Sequence, residues 1–404
     1  MSFEMKKMER VLLVNKFYYN RGGDCVVTLN TEQLLREHGH EVAVFSMRYP
    51  RNFSHAWEHC FASEVRFDGP MADKFKALVR TMGRGDIKSA VSRVLYDFNP
   101  DVVHLHNVHS YLSPLIARYA HERGCRVVWT LHDYKLLCPS YACLRGGKPC
   151  ERCLGHKWHV LAGRCMKGSM AASVIAWIEA MKWSRRRLER YVDTFVCPSQ
   201  FMADKMAQGG FDRSKLQVLN NFVTHMPDEV LPAAEREDYY CYVGRLSAEK
   251  GVGTLLQAAS CLPHRLVVAG GGPMEQELRE KYARCSNIEF RGHLSHEQVA
   301  DLLCRARLSV IPSEWYENNP MGVIESLCAG TPVVGADMGG IPELIDDESG
   351  VIFPSGQVNA LMDAVSMAML HRWDNAAIAQ SARNRFSDEA HYQRLLAIYQ
   401  GRKQ

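Results

Sequence analysis

Twice along this chain a short apolar run stops at a glycine or a polar residue, an amphipathic stretch follows, and a second apolar run begins. Strands this apolar, joined through helices, bury both faces only in a parallel sheet with helices on each side. In the first half the pattern reads Arg10 to Val14, a polar loop from Asn15 to Asp24, an amphipathic stretch from Val26 to Glu37 stopped at Gly39, and Glu41 to Phe45. Apolar runs at Val102 to His106, Arg126 to Leu131 and Val192 to Pro198 follow, ending at Asn107, at His132 with Asp133, and at Ser199. The second half repeats the scheme with strands at Tyr239 to Val243, Arg265 to Ala269, Ile288 to Phe290, Leu308 to Ile311 and Pro332 to Gly335. Two doubly wound units are expected, with ligands outside the carboxyl ends of their strands.

The length of 404 residues agrees, being about twice what one core supports. With 47% hydrophobic and 23% charged residues the composition excludes disordered, collagenous and coiled-coil chains. The longest apolar stretch, Met170 to Met181, is too short to span a bilayer, and MSFEMKKMER leads into a strand with no room for a signal segment, so a cytosolic protein is expected. Residues 1–225 carry 33 Lys and Arg against 21 Asp and Glu, or +12; the rest carries 16 against 24, or −8, and the two sum to the overall +4. An anionic partner is expected at the first half.

Chemistry concentrates in Ser309 to Gly340. A strand ends near Pro312, an acidic aromatic loop follows, and a helix is expected to start at Asn319 or Pro320 and run to Ala329. Free N–H groups and the dipole at that start would hold a phosphate, and Gly322 would admit a ligand to the backbone. Glu317 stands just before the helix and Glu325 eight positions later inside it. A lone pair of glutamates is more often a solvated loop and an exposed helical acid, but Glu325 is embedded in an apolar helix, where an unpaired charge is costly.

The E-x7-E of ENNPMGVIE, followed by AGTPVVGADMGGIPELI, resembles the signature of retaining glycosyltransferase family 4. The likeness covers nearly the whole chain, through NKFYYNRGGDCVVTLNTEQLLREHGHEV, WTLHDY, YVGRLSAEKG and VVAGGGP. It implies a GT-B fold, two Rossmann-like domains facing across a cleft, with a C-terminal helix crossing back. Residues 1–225 would form the acceptor side, with a Cys-rich insertion at 138–165; residues 226–385 would hold the nucleotide-sugar, and 386–404 would return to the first domain. Asn220 to Arg236 reads as the linker.

By the same resemblance, Glu317 lies near the donor sugar, Glu325 binds ribose, and Asn319, Pro320, Met321, Gly322 and Val323 hold sugar hydroxyls and diphosphate through the backbone. Arg245 and Lys250 match two diphosphate-binding cations, which could stabilise the leaving group without a metal. Gly22 and Gly23 would bring N–H groups to the diphosphate, and Gly271 in the VVAGGGP turn joins the donor set. His132 would contact the transferred sugar, and Asp133 would orient it or bind acceptor.

The segment CPSYACLRGGKPCERCLGHKWHVLAGRC offers a structural zinc knot, most simply Cys138, Cys150, Cys153 and Cys165, with free thiols or a redox pair as alternatives. Between Met170 and Tyr191, Trp177 and Trp183 beside Arg185, Arg186, Arg187 and Arg190 fit a helix at an anionic membrane surface, and equally a packed helix with a solvated basic end. No nucleic-acid-binding module is present.

These readings converge on a retaining hexosyltransferase using a UDP- or GDP-sugar donor and a glycan or lipid-linked acceptor in cell-surface polysaccharide or lipopolysaccharide synthesis. It is expected in the cytoplasm, with the inner face of the membrane as an open alternative, with no cofactor required for catalysis and no D-x-D site for a divalent ion. The rivals are a nucleotide-sugar epimerase and a silent nucleotide-sugar-binding protein. A dehydrogenase would need G-x-G-x-x-G after the first strand, where this chain has RGGDC.

Overall fold

The computed structural model describes residues 9–224 and 229–402. The opening segment before Glu9, the middle of the stretch read as a linker, and residues 403–404 lie outside the described residues.

Each half builds one parallel six-stranded sheet. The first contains β1 (Arg10–Val14), β2 (Glu41–Phe45), β3 (Val102–Leu105), β4 (Arg126–Thr130), β5 (Thr194–Cys197) and β6 (Leu216–Val218), in the order β2-β1-β3-β4-β5-β6. The second contains β7 (Glu237–Val243), β8 (Arg265–Ala269), β9 (Ile288–Gly292), β10 (Ala306–Ile311), β11 (Val333–Ala336) and β12 (Gly350–Phe353), in the order β9-β8-β7-β10-β11-β12. Successive residues serve opposite faces: Leu12 and Val14 enter one core, Val11 and Leu13 another. Tyr240 and Tyr242 likewise part from Tyr239 and Cys241. Both faces being covered, these strands read as continuous apolar runs.

The expected doubly wound pair is therefore present, and the chain does cross back at its end. Helix Asp388–Tyr399 buries Tyr392, Leu395, Leu396, Ile398 and Tyr399 against Val11, Leu13, Val42 and Val44 of the first sheet. Tyr399 Oη lies 2.7 Å from His104 Nδ1, and Tyr392 Oη 2.9 Å from His40 Nε2. One edge strand of each sheet, β6 and β12, and a two-residue hairpin joining Leu144–Arg145 to Lys148–Pro149 went unread in the sequence.

In each sheet the winding reverses between two neighbouring strands, β1 and β3 in the first, β7 and β10 in the second. Loops leaving the carboxyl ends of such a pair diverge and open a crevice between them. No described helix is long and apolar enough to cross a membrane.

Candidate active site

The two crevices meet in a cleft of about 450 Å³ between the sheets. The first domain contributes Gly23, Asp24, Asn107, His132 and Asp133; the second contributes Arg245, Lys250, Glu317, Asn319, Pro320, Met321 and Gly322. Ten of the residues singled out in the sequence thus share one wall-to-wall space.

On the first-domain side, helix Gly23–Glu37 starts after Gly22, an extended N-cap without a side-chain cap. A Cβ at Gly23 would meet no protein atom within 4 Å, so the space above this helix start is open. Asn107, at the end of β3, donates to Asp24 Oδ2 at 3.1 Å and to Asp133 Oδ2 at 3.3 Å, tying the loops after β1, β3 and β4 together. Burial raises the proton affinity of Asp24, but Lys16, at 3.6 Å, together with His132 and Asn107 holds it below the usual carboxylate range. Asp133 goes the other way: its burial outweighs Lys16 and the Lys135 amide, and its affinity is raised.

His132 Nε2 is 2.9 Å from His106 Nδ1, and the two rings stack at 5.2 Å. Burial pushes the His132 pKa down to about 4, so its imidazole is neutral at pH 7. His106, buried beneath it, is depressed further by burial and by its histidine neighbours.

On the opposite side, Glu317 is only 7% exposed. Its Oε1 accepts from Lys250 Nζ at 2.6 Å, Ser313 Oγ at 2.7 Å and Trp315 Nε1 at 3.0 Å. Burial would raise this carboxyl; Lys250 first, then these hydrogen bonds, bring it below its ordinary value, so it is ionised. Lys250 closes a single turn, Ala248–Lys250, that Gly251 ends at φ 68°, where a Cβ would overlap the Pro312 carbonyl. Arg245 follows Gly244, is exposed to the cleft, and has no side-chain partner among the described residues.

Helix Met321–Cys328 begins one residue later than expected, with Pro320 as an N-cap that supplies no side-chain cap. Its first N–H groups face the cleft uncapped. Asn318 and Asn319 instead bridge the domains: Asn318 Nδ2 donates to the Leu131 carbonyl at 2.7 Å, and Asn319 Oδ1 accepts from the Asn221 amide at 2.7 Å.

Four predicted positions lie off this wall. Gly22 caps the helix behind Gly23, Val323 is fully buried, and Gly271 accepts from the Leu246 amide in the turn after β8. Glu325, one turn into its helix, takes no hydrogen bond from any described residue, and burial raises its proton affinity.

The zinc reading finds no support in the structure. Among the described residues the group of three or more metal-ligating side chains that converge within 4.8 Å is His59, Cys60 and Asp97; no three of the cysteine sulfurs do. Cys138 faces Cys143 and Cys153, whose thiols hydrogen-bond to it and lower its pKa, and it touches Ser140 Oγ at 3.1 Å. The Cys150 amide pairs with the Cys143 carbonyl at 2.7 Å across the base of the hairpin. The quartet Cys138, Cys150, Cys153 and Cys165 thus gains no support as a metal site.

The insertion braces a neighbouring loop. Glu151 accepts from Tyr316 Oη at 2.7 Å and pairs with Lys205 at 2.6 Å, so it buttresses the loop that carries Glu317.

A model of Glycosyltransferase Family 4 matches residues 21–225, half of the chain, and one of Glycosyl transferases group 1 matches 228–385. The chain belongs to glycosyltransferase family 4. It is a glycosyltransferase with the GT-B fold. It is 25% identical over 354 residues to an uncharacterized 42.6 kDa protein in the cps region of Klebsiella pneumoniae, covering 83% of this chain and 87% of that one. O-antigen chain mannosyltransferase B of Escherichia coli is 27% identical over 163 residues, 37% of this chain and 42% of that enzyme. Anabaena HepE, solved with UDP, superposes with a TM-score of 0.67 at 16% identity, over 98% of this chain and all of that one.

Proposed function

We propose that this glycosyltransferase moves a hexose-type sugar from a UDP- or GDP-sugar to a hydroxyl of a glycan or lipid-linked acceptor, with retention at the anomeric carbon, in assembly of a cell-surface polysaccharide or lipopolysaccharide. The observation that carries this reading is the placing of unpaired Arg245 and of Lys250 in one cleft with the uncapped start of helix Met321–Cys328. Two cations and free N–H groups converging on one space are the equipment for holding a diphosphate as it leaves. The UDP bound by HepE and the sugar-polymer role named for the mannosyltransferase support the donor and pathway classes.

In this reading residues 226–385 hold the donor and 1–225 the acceptor, with 386–404 as the returning helix. Backbone groups of Gly23 and of Asn319, Pro320, Met321 and Gly322 line the diphosphate and sugar path, Gly22, Gly271 and Val323 stand behind them, and unpartnered Glu325 accepts from the ribose hydroxyls. Glu317 sits at the transferred sugar, while neutral His132 donates or accepts a hydrogen bond there without adding charge. Asp133 orients the acceptor loop. The bond from the anomeric carbon to the diphosphate oxygen breaks, the acceptor oxygen bonds to the same face, and its proton passes to the departing phosphate oxygen. No metal or cofactor is required, and the enzyme works at the cytoplasmic face of the membrane.

Thermal unfolding with UDP, GDP and their sugar conjugates tests the donor. A ligand at about 100 times its Kd adds about 2.7 kcal/mol of stability. The anomeric proton coupling of the transferred sugar, read by NMR, tests retention. Absence of stabilisation by either nucleotide, or an inverted product, refutes the corresponding part.

A further inference from the structure

A second cavity, of about 340 Å³, lies in the first domain between the turn at Met82, Gly83 and Arg84 and the two helices Met170–Lys182 and Arg185–Tyr191. It shares no residue with the interdomain cleft. Six cations line it, Arg84, Lys88, Arg118, Lys182, Arg187 and Arg190, and no carboxylate does.

The floor is apolar and fixed. Trp183 and Leu115 are buried there, and Gly83 adopts φ 64° so close to them that a Cβ would stand 3.2 Å from the indole ring. Lys182 is anchored to the Met82 carbonyl, and Arg187 donates to the Lys182 carbonyl at 2.7 Å. Arg118 is paired with Glu122 at 2.7 Å, outside the cavity wall. The exposed side chains of Arg84, Lys88 and Arg190 have no acidic partner among the described residues.

Cations on an ordinary solvated surface alternate with acids or spread apart, because crowding like charges costs energy. Here they are gathered round a concavity, and the crowding is felt: burial first, then Arg84, Arg187 and Lys88, lower the proton affinity of Lys182. A compact multivalent anion relieves that repulsion, and guanidinium forks match phosphate oxygens in pairs.

We propose that this cavity is a binding site, separate from the cleft, for a phosphate or diphosphate ester, either soluble or borne on a lipid headgroup. The neighbouring exposed Ile178 and Met181 lie on the same helix as Lys182 and give the second source an apolar surface beside the charge.

The test compares the full-length protein with the triple variant Arg84→Ser, Lys88→Ser, Arg190→Ser, whose changes fall on exposed side chains. Calorimetric titration with inorganic pyrophosphate, in the presence of excess UDP, is expected to show binding by the unaltered protein that weakens with salt and drops about tenfold or more in the variant. Sedimentation with vesicles of phosphatidylcholine, with and without phosphatidylglycerol, separates the sources. Capture by the anionic vesicles that pyrophosphate displaces and the variant lacks assigns a lipid headgroup; pyrophosphate binding without vesicle capture assigns a soluble ester. Equal pyrophosphate binding by the two proteins, or none by the unaltered one, overturns the proposal. Both proteins carry the same interdomain cleft, so the difference between them is independent of the donor reading.

Discussion

Three donors converge on Oε1 of Glu317, while its Oε2 takes no hydrogen bond among the described residues. The carboxylate is thus fixed by one oxygen and free at the other, an arrangement suited to a sugar hydroxyl in the cleft. Glu317→Gln keeps an acceptor for Lys250, Ser313 and Trp315 but removes the charge. Transfer is expected to fall about 10²-fold to 10³-fold with a small change in Tm, as when a single preorganised electrostatic contact is lost; initial rates and a melting curve decide it, and an unimpaired rate would remove Glu317 from the reaction. His132 offers a test by pH. Its pKa is about 4 folded against 6.5 for an ordinary histidine, so the unfolded chain takes up a proton where the folded chain does not. Its contribution to stability is full above about pH 6.5 and is lost as pH falls toward 4, a change of about 3 kcal/mol from this one group. NMR signals of its imidazole should stay unmoved between pH 5.5 and 8; a midpoint near 6.5 would show that burial does not hold it neutral.

At the scale of elements, the sharpest constraint is the loop following β11. Gly339 adopts φ 65°, a Cβ on it would overlap the Glu317 backbone, and the Gly340 amide donates to the Glu317 carbonyl at 2.8 Å. Gly339→Ala should therefore displace the Glu317 segment and abolish most activity while the two sheets persist, so that circular dichroism is retained as turnover disappears. The returning helix invites a milder change. Tyr399→Phe removes the hydroxyl from buried His104, with an expected loss of about 1 kcal/mol measurable as a lower urea midpoint. These elements differ in how far the sequence discloses them. Val11 to Val14 and Val102 to Leu105 are central strands covered on both faces, so burial alone makes them apolar runs. β6 is three half-buried residues at a sheet edge, and β12 begins at a glycine after an acidic loop, so neither burial nor periodicity marks them. The cleft's residues were legible because they follow central strands. The pairing of His106 with His132, and of Glu151 with Tyr316, depends on how distant segments dock, which no local pattern encodes. Cysteine spacing likewise does not say which sulfurs meet: Cys138 faces Cys143 and Cys153.

Over the whole molecule, hydrogen bonds between the domains flank the cleft, and the proposed reaction needs them to open for substrate entry and product release. Besides the asparagine bridges, Glu343 of the second domain reaches the start of helix Gln200–Gln208 in the first, accepting from the amides of Gln200, at 2.7 Å, and Phe201. A carboxylate on two free N–H groups at a helix start is worth about 1 to 2 kcal/mol when partly buried. Burial meanwhile raises the proton affinity of Glu343, so the contact is strained by its own desolvation and held by those two amides. In Glu343→Ala the ratio of open to closed molecules should therefore rise about 5-fold to 30-fold, the equivalent of that energy. Small-angle scattering of the ligand-free variant should give a larger radius of gyration, and UDP should restore the compact value. Because closure then consumes part of the nucleotide's binding energy, the donor KM should rise by up to the same factor, while kcat at saturation changes much less. Unchanged scattering and KM would place the balance of domain closure on Asn318 and Asn319 instead, whose bonds to Leu131 and Asn221 the variant leaves intact.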